Sequence, residues 1–166
     1  EDYTMLYRLV ENNQKPVIKV IATSKEHGDV PTFNTIGMIK GVEKPEEYVM
    51  LSAHFDSWDG GQGTTDNGTG SIVMLEAMRI LKKLYPNPKR TIMVGHWGSE
   101  EQGLNGSRAF VEDYPEIVDN IQALFNQDNG TGRVVDLSGS GFLHSYDYIS
   151  RWLAPVPRDV SKHIET

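Results

Sequence analysis

Between Tyr48 and Asp66 an apolar run, Tyr48-Val49-Met50-Leu51-Ser52-Ala53, breaks off into His54-Phe55-Asp56 and then into a glycine-rich loop that ends at Asp66. The run reads as a buried strand that delivers a histidine and a carboxylate to its own C-terminal edge, where open α/β sheets place their ligands. Two further acidic loops follow strand-like runs: Ser99-Glu100-Glu101 after Thr91-Ile92-Met93-Val94, and Gln127-Asp128-Asn129 after Ile121-Gln122-Ala123-Leu124-Phe125. One histidine and several carboxylates converging from successive strand ends have the composition of a metal site.

The elements around these loops support the α/β reading. Residues 71–85 carry Val73, Ala77, Ile80, Leu81 and Leu84 on one helical face, with Glu76, Arg79, Lys82 and Lys83 opposite, and Pro86 and Pro88 stop the helix. The strand, helix, strand order over residues 47–97 implies a right-handed parallel crossover. A short helix is expected over residues 107–111, and helical spacing recurs over 2–13, 146–153 and 160–165. The β-branched segment 17–22 reads as a strand paired antiparallel with a second one over 33–40. Past Asp128 the patterning weakens through Gly130-Thr131-Gly132 and Ser138-Gly139-Ser140-Gly141.

Charge and composition exclude several functions. The net charge of -7, with sixteen scattered Lys and Arg, argues against a nucleic-acid partner, because phosphate neutralisation needs clustered basic residues. No apolar run approaches the roughly eighteen residues that span a bilayer, and Glu1-Asp2-Tyr3 lacks the basic and apolar regions of a signal peptide. The 166 residues suffice for one domain with a sizeable core, and the absence of cysteine leaves the redox compartment open.

The ligand types narrow the metal. Imidazole nitrogen with carboxylate oxygen suits zinc, whereas an all-carboxylate site would favour Ca²⁺ or Mg²⁺, so His54 tilts the reading toward zinc. Asp56 lies on the same strand face as His54 and could accept the other imidazole N–H, which makes it a support for the ligand and not a ligand itself. Adjacent Glu100 and Glu101 point apart on extended chain, so one can bind metal while the other faces substrate as a proton shuttle. Taken singly each feature has a plainer explanation. Asp66-Asn67-Gly68 and Asp128-Asn129-Gly130 look like Asx turns, a Glu-Glu pair is usually solvated, and His96 inside a strand is more often a core residue than a ligand. His27, His144 and His163 read as solvent-facing. The coincidence of three acidic loops with a strand-terminal histidine is what favours a site.

These residues carry a resemblance. Ala53-His54-Phe55-Asp56-Ser57-Trp58, Gly63-Thr64-Thr65-Asp66-Asn67-Gly68-Thr69-Gly70, Trp97 to Ser107 with Gly98-Ser99-Glu100-Glu101-Gln102-Gly103, and Asn126-Gln127-Asp128 together resemble the co-catalytic zinc peptidases of family M28, nearest to the carboxypeptidase Q-like branch. The resemblance implies a mixed, mostly parallel sheet sandwiched by helices, of the zinc-exopeptidase, phosphorylase/hydrolase-like kind. It implies two Zn²⁺ ions, with His54 and Asp128 on the first, Asp66 bridging, Glu101 on the second, and a cis peptide bond after Asp66. Glu100 would be the general base, deprotonating a metal-bridging water in the hydrolysis of peptide bonds near a chain terminus. The family also uses a fifth ligand, a histidine on the second zinc found well downstream. Residues 1–166 therefore read as a single, partial catalytic domain truncated at its C-terminus, with one zinc site incomplete, weak activity, and a sheet edge left uncovered for self-association. The resemblance implies a secreted or periplasmic location. The competing readings are a single-zinc glutaminyl cyclase-like acyltransferase and a non-catalytic peptidase-like binding domain.

Overall fold

The computed structural model describes residues 2–139 and 141–165, so Ser140 of the weakly patterned tail lies outside the described residues. The chain divides into two compact units, Glu1–Pro31 and Thr32–Thr166. In the first, α1 (Asp2–Glu11) forms where the helical spacing predicted it, with no residue buried. The strand expected over residues 17–22 does not form, and Val17, Val20 and Ile21 are each at least 78% exposed. β-branched residues favour a pleated, half-buried surface, and among the described residues of this unit no strand provides one.

The second unit contains β1 (Thr35–Ile39), β2 (Lys44–His54), α2 (Gly68–Leu84), β3 (Arg90–Trp97), α3 (Asn105–Asp113), α4 (Pro115–Val118), β4 (Ile121–Asn126), α5 (Ser145–Leu153) and α6 (Arg158–Ser161). The four strands form one sheet in the order β1-β3-β2-β4. β2 runs parallel to both β3 and β4, and β1 alone is antiparallel, pairing with β3 rather than with residues 17–22. The final helix covers 158–161 rather than 160–165, because Pro157 takes the N-cap position and the following residues start the turn.

Alternation along the strands sends side chains to two faces. On one face Met50 and Met93 pack with Trp97 and Phe110 of α3, with Ile117 and Val118 of α4 beside them. On the other, Leu51, Ala53 and Val94 meet Met74 of α2. Helices therefore cover both faces of a mostly parallel sheet. Because β2, β3 and β4 point the same way, the residues just past His54, Trp97 and Asn126 share one edge.

His96 is a core residue, 4% exposed, with its ring stacked on Phe55 at 5.8 Å between centroids and its Nε2 without a hydrogen-bond partner. Burial lowers its pKa, and a hydrogen bond with the Ser71 backbone only partly offsets this. The unfolded chain therefore takes the proton more readily than the folded one. The neutral ring costs nothing above the ordinary imidazole range near about 6.5, and stability falls as pH drops below it. Urea midpoints at pH 7.5 and 5.5 should fall further in the parent protein than in His96→Phe, other titrating groups being common to both. Equal losses would place the acid sensitivity elsewhere.

Candidate metal centre

Each loop at the sheet edge is held by short backbone contacts. β2 ends in His54, whose side chain is 2% exposed, and Phe55 N donates to Trp97 O at 2.7 Å. Gln127 N donates to Ser52 O at 3.0 Å, and Ser52 Oγ donates to Asn126 Oδ1 at 2.7 Å, which fixes the exit of β4 two residues before Asp128. The loop after β3 folds back on itself: Gly106 N donates to Gly98 O, while Asn34 accepts from Gly98 N and donates to Gly106 O. A Cβ on Gly106 would collide with Gly98 O and Asn34 Oδ1, so only glycine allows this approach.

His54, Asp66 and Asp128 meet, with one ligand atom from each lying within 4.8 Å of the others. His54 Nε2 is 3.0 Å from Asp66 Oδ1 and 2.9 Å from Asp128 Oδ1. On the far side of the ring Nδ1 donates to the Asp56 backbone carbonyl at 3.0 Å. A neutral ring that donates at Nδ1 turns its Nε2 lone pair toward two anionic oxygens, an arrangement that is repulsive unless a cation or a proton stands between them. Burial opposes charge on His54, yet Asp128 and Glu100, with the Asp56 carbonyl and Asp66, outweigh it and raise its pKa. Without a metal, these carboxylates make the His54 ring easier to protonate than an ordinary imidazole.

Glu101 adds a second indication. Its Oε1 is buried without a hydrogen-bond partner, and desolvation, reinforced by the negative charges of Asp66, Glu100 and Asp56 against the pull of His54, raises its pKa. A carboxylate oxygen left without a donor among other carboxylates is what a cation would satisfy. The donor set of one imidazole and several carboxylates fits zinc. Among the described residues, His144 and His163 join no such group.

Asp56 differs in detail from the role expected for it. Its carboxylate is 3.7 Å from His54 Nδ1, too far for a hydrogen bond, and the backbone carbonyl of the same residue takes that proton instead. The carboxylate accepts from Glu100 N at 2.9 Å and Glu101 N at 3.2 Å. Anionic acceptors satisfy adjacent amides well, and the side chain thereby anchors the loop that carries both glutamates. Glu100 points inward, with Oε2 3.9 Å from His54 Nε2 and a side chain 24% exposed. The peptide bond between Asp66 and Asn67 is cis, as expected. A cavity of about 360 Å³ runs from His54, Glu100 and Asp128 along an apolar wall that includes Leu104, Phe110 and Leu124.

Sequence reasoning missed Asn67 and Ser71. The expected helix began at residue 71, whereas α2 starts at Gly68 with Asn67 as its N-cap. An asparagine ahead of an apolar run is a capping pattern that could have placed the start correctly.

The chain is similar to several known proteins. A sequence profile for peptidase family M28 matches residues 34–156. Carboxypeptidase Q of Xenopus laevis is 37% identical over 131 residues, 79% of this chain, and the human protein of that name is 36% identical over the same length. The chain spans 28% of the length of each of these relatives. The crystal structure of a peptidase M28 precursor from Shewanella amazonensis superposes with a TM-score of 0.76 at 25% identity, covering 98% of this chain and 36% of that one. A zinc aminopeptidase from Bacillus subtilis matches with a TM-score of 0.52 at 35% identity, over 57% of this chain and 23% of its own.

Proposed function

Since the chain belongs to peptidase family M28, we propose that it carries the metal-binding and proton-transfer groups of a zinc-dependent exopeptidase. The observation that carries this reading is the meeting of His54 Nε2 with the Asp66 and Asp128 oxygens, with Glu100 beside them and outside the group. His54, Asp66 and Asp128 would hold one zinc ion, and Asp66 with Glu101 would share a second. Bound there, zinc supplies Lewis acidity to the scissile carbonyl and lowers the pKa of water. Glu100 takes the proton of the attacking water and returns it to the leaving amine. Asp56 holds the Glu100 and Glu101 amides, and the Asp56 carbonyl keeps the His54 tautomer that presents Nε2. The apolar wall beside Glu100 suits a substrate whose terminal residue is apolar.

Retention of Asp66, Glu101 and Asp128 together favours the two-metal peptidase over a single-zinc acyltransferase, and retention of Glu100 favours an enzyme over a binding domain. The second position draws only carboxylates from the described residues, so zinc should bind there more weakly. β4 is an edge strand with Leu124 half exposed, and we place association between copies of the chain there. From the family resemblance we also propose a secreted or periplasmic location, and fractionation of the source cells would check it. No helix among the described residues is long and apolar enough to cross a membrane.

Calorimetric zinc titration of the 166-residue chain is expected to show one tight ion and a second held less tightly. Sedimentation at several concentrations would follow association in the same samples. Hydrolysis of peptides blocked at either terminus, tested with the whole protein, would separate aminopeptidase from carboxypeptidase action. Failure of the wild-type chain to bind any zinc would overturn the proposal.

A further inference from the structure

The first turn of α2 contains Asn67, a side chain to which the peptidase reading assigns no task. Asn67 is 2% exposed. Its Oδ1 accepts from Gly70 N at 3.1 Å, and its Nδ2 donates to Gln127 O at 2.8 Å. The amide cannot be turned over, because its NH₂ would then face the Gly70 N–H and its oxygen would face the Gln127 oxygen. In the same turn Ser71 Oγ donates to His54 O at 3.0 Å. Each member of the His54, Asp66, Asp128 group is therefore tied to this one turn. Asp66 immediately precedes Asn67, His54 bears the carbonyl held by Ser71, and Asp128 immediately follows Gln127. Gly70 makes the approach feasible, since a Cβ there would collide with Gln127 O and Asn67 Oδ1. Thr69 Oγ1 donates to Thr65 O at 2.7 Å, and its longer contact with Gly130 O, at 3.2 Å, lies beyond Asp128.

We infer that Asn67 is a positioning residue that sets the separation of the Asp66 and Asp128 carboxylates and thereby the zinc affinity of the group. The inference rests on the zinc reading above. Zinc accepts carboxylate oxygen only at about 2.0–2.2 Å, so the two loops must be held in register to a few tenths of an ångström. A buried amide that donates to one loop while capping the helix joined to the other supplies that register, and a helix is a stiffer support than either loop. Partners of this kind are worth roughly 10- to 100-fold in metal affinity.

Asn67→Asp keeps the capping oxygen but turns a second acceptor toward Gln127 O. The negative charge it adds can only favour a cation, so weaker binding would report the displaced loop. Asn67→Ser retains a capping hydroxyl too short to reach Gln127 and adds no charge. Both variants, titrated with zinc well below their melting temperatures, are expected to bind roughly 10- to 100-fold more weakly than the parent. The absorption of the Co²⁺-loaded variants should shift as the oxygen ligands move. Met74→Ala serves as the comparison, since it loosens the α2 core without touching either loop and should lower the melting temperature while leaving zinc affinity unchanged. Parent-like zinc affinity in both Asn67 variants would overturn the inference, as would an equal loss in Met74→Ala. If the parent itself bound no zinc, the peptidase reading would fall instead.

Discussion

Replacing Glu100 by Gln is expected to cut kcat by about two to four orders of magnitude in the zinc-loaded peptidase while zinc content stays at the wild-type level. The two halves of this result follow from different observations. Glu100 stands outside the His54, Asp66, Asp128 group, and its Oε2 comes no nearer than 3.9 Å to His54 Nε2, so the substitution removes no ligand. Its carboxylate accepts no hydrogen bond among the described residues, while its backbone N–H is held by Asp56 and its carbonyl by Gly103 and Leu104. The main chain is thus fixed and the side chain is left free to exchange a proton. Glutamine preserves the shape and the backbone contacts but cannot accept that proton. Steady-state kinetics with metal analysis on the same preparation would decide the point, and wild-type turnover in the variant would remove Glu100 from the role of base.

The second large effect concerns the metal itself. His54→Ala should leave the protein with almost no tightly bound zinc, because it removes the one imidazole of the group and leaves two partly exposed carboxylates. Asp56→Asn should be milder, weakening zinc by roughly 10- to 100-fold. The Asp56 backbone carbonyl still takes the His54 Nδ1 proton in that variant, so the ring keeps its orientation. What is lost is one of two acceptors for the Glu100 and Glu101 amides, because an asparagine NH₂ would then oppose an N–H donor. Competition titrations against a zinc chelator would rank the variants. Complete and equal loss of zinc in both would identify Asp56 as a direct ligand. Since His54 binds a proton more readily than an ordinary imidazole in the metal-free site, zinc affinity in the parent should fall as pH drops through the raised His54 pKa.

Much of this arrangement was legible in residue order alone. The run from Tyr48 to Ala53 reads as a buried strand, and the amphipathic spacing of α2 between two such runs implies a parallel crossover, which brings successive carboxyl ends to one edge. The segment 17–22 shows the limit of the same reasoning. Its β-branched composition matches that of a strand, yet no strand forms there, and β1 is found paired with β3. Strand formation depends on a neighbour, and local sequence does not specify which neighbour will be present.

Residue types and their spacing determined the strands and helix that flank the site, the shared sheet edge and the groups that gather there, because hydrophobic periodicity is a property of the chain itself. Tertiary structure decided which atoms of those residues do the holding. Alternation placed Asp56 on the His54 face, but only folding showed that its carbonyl takes the imidazole proton while its carboxylate grips the loop after β3. In the same way Asp-Asn-Gly reads as a turn until Gln127, sixty positions away, arrives against the Asn67 amide. Hydrogen bonds between segments far apart in sequence depend on distances of a few tenths of an ångström, and those distances are set by the packing of the sheet and helices between them.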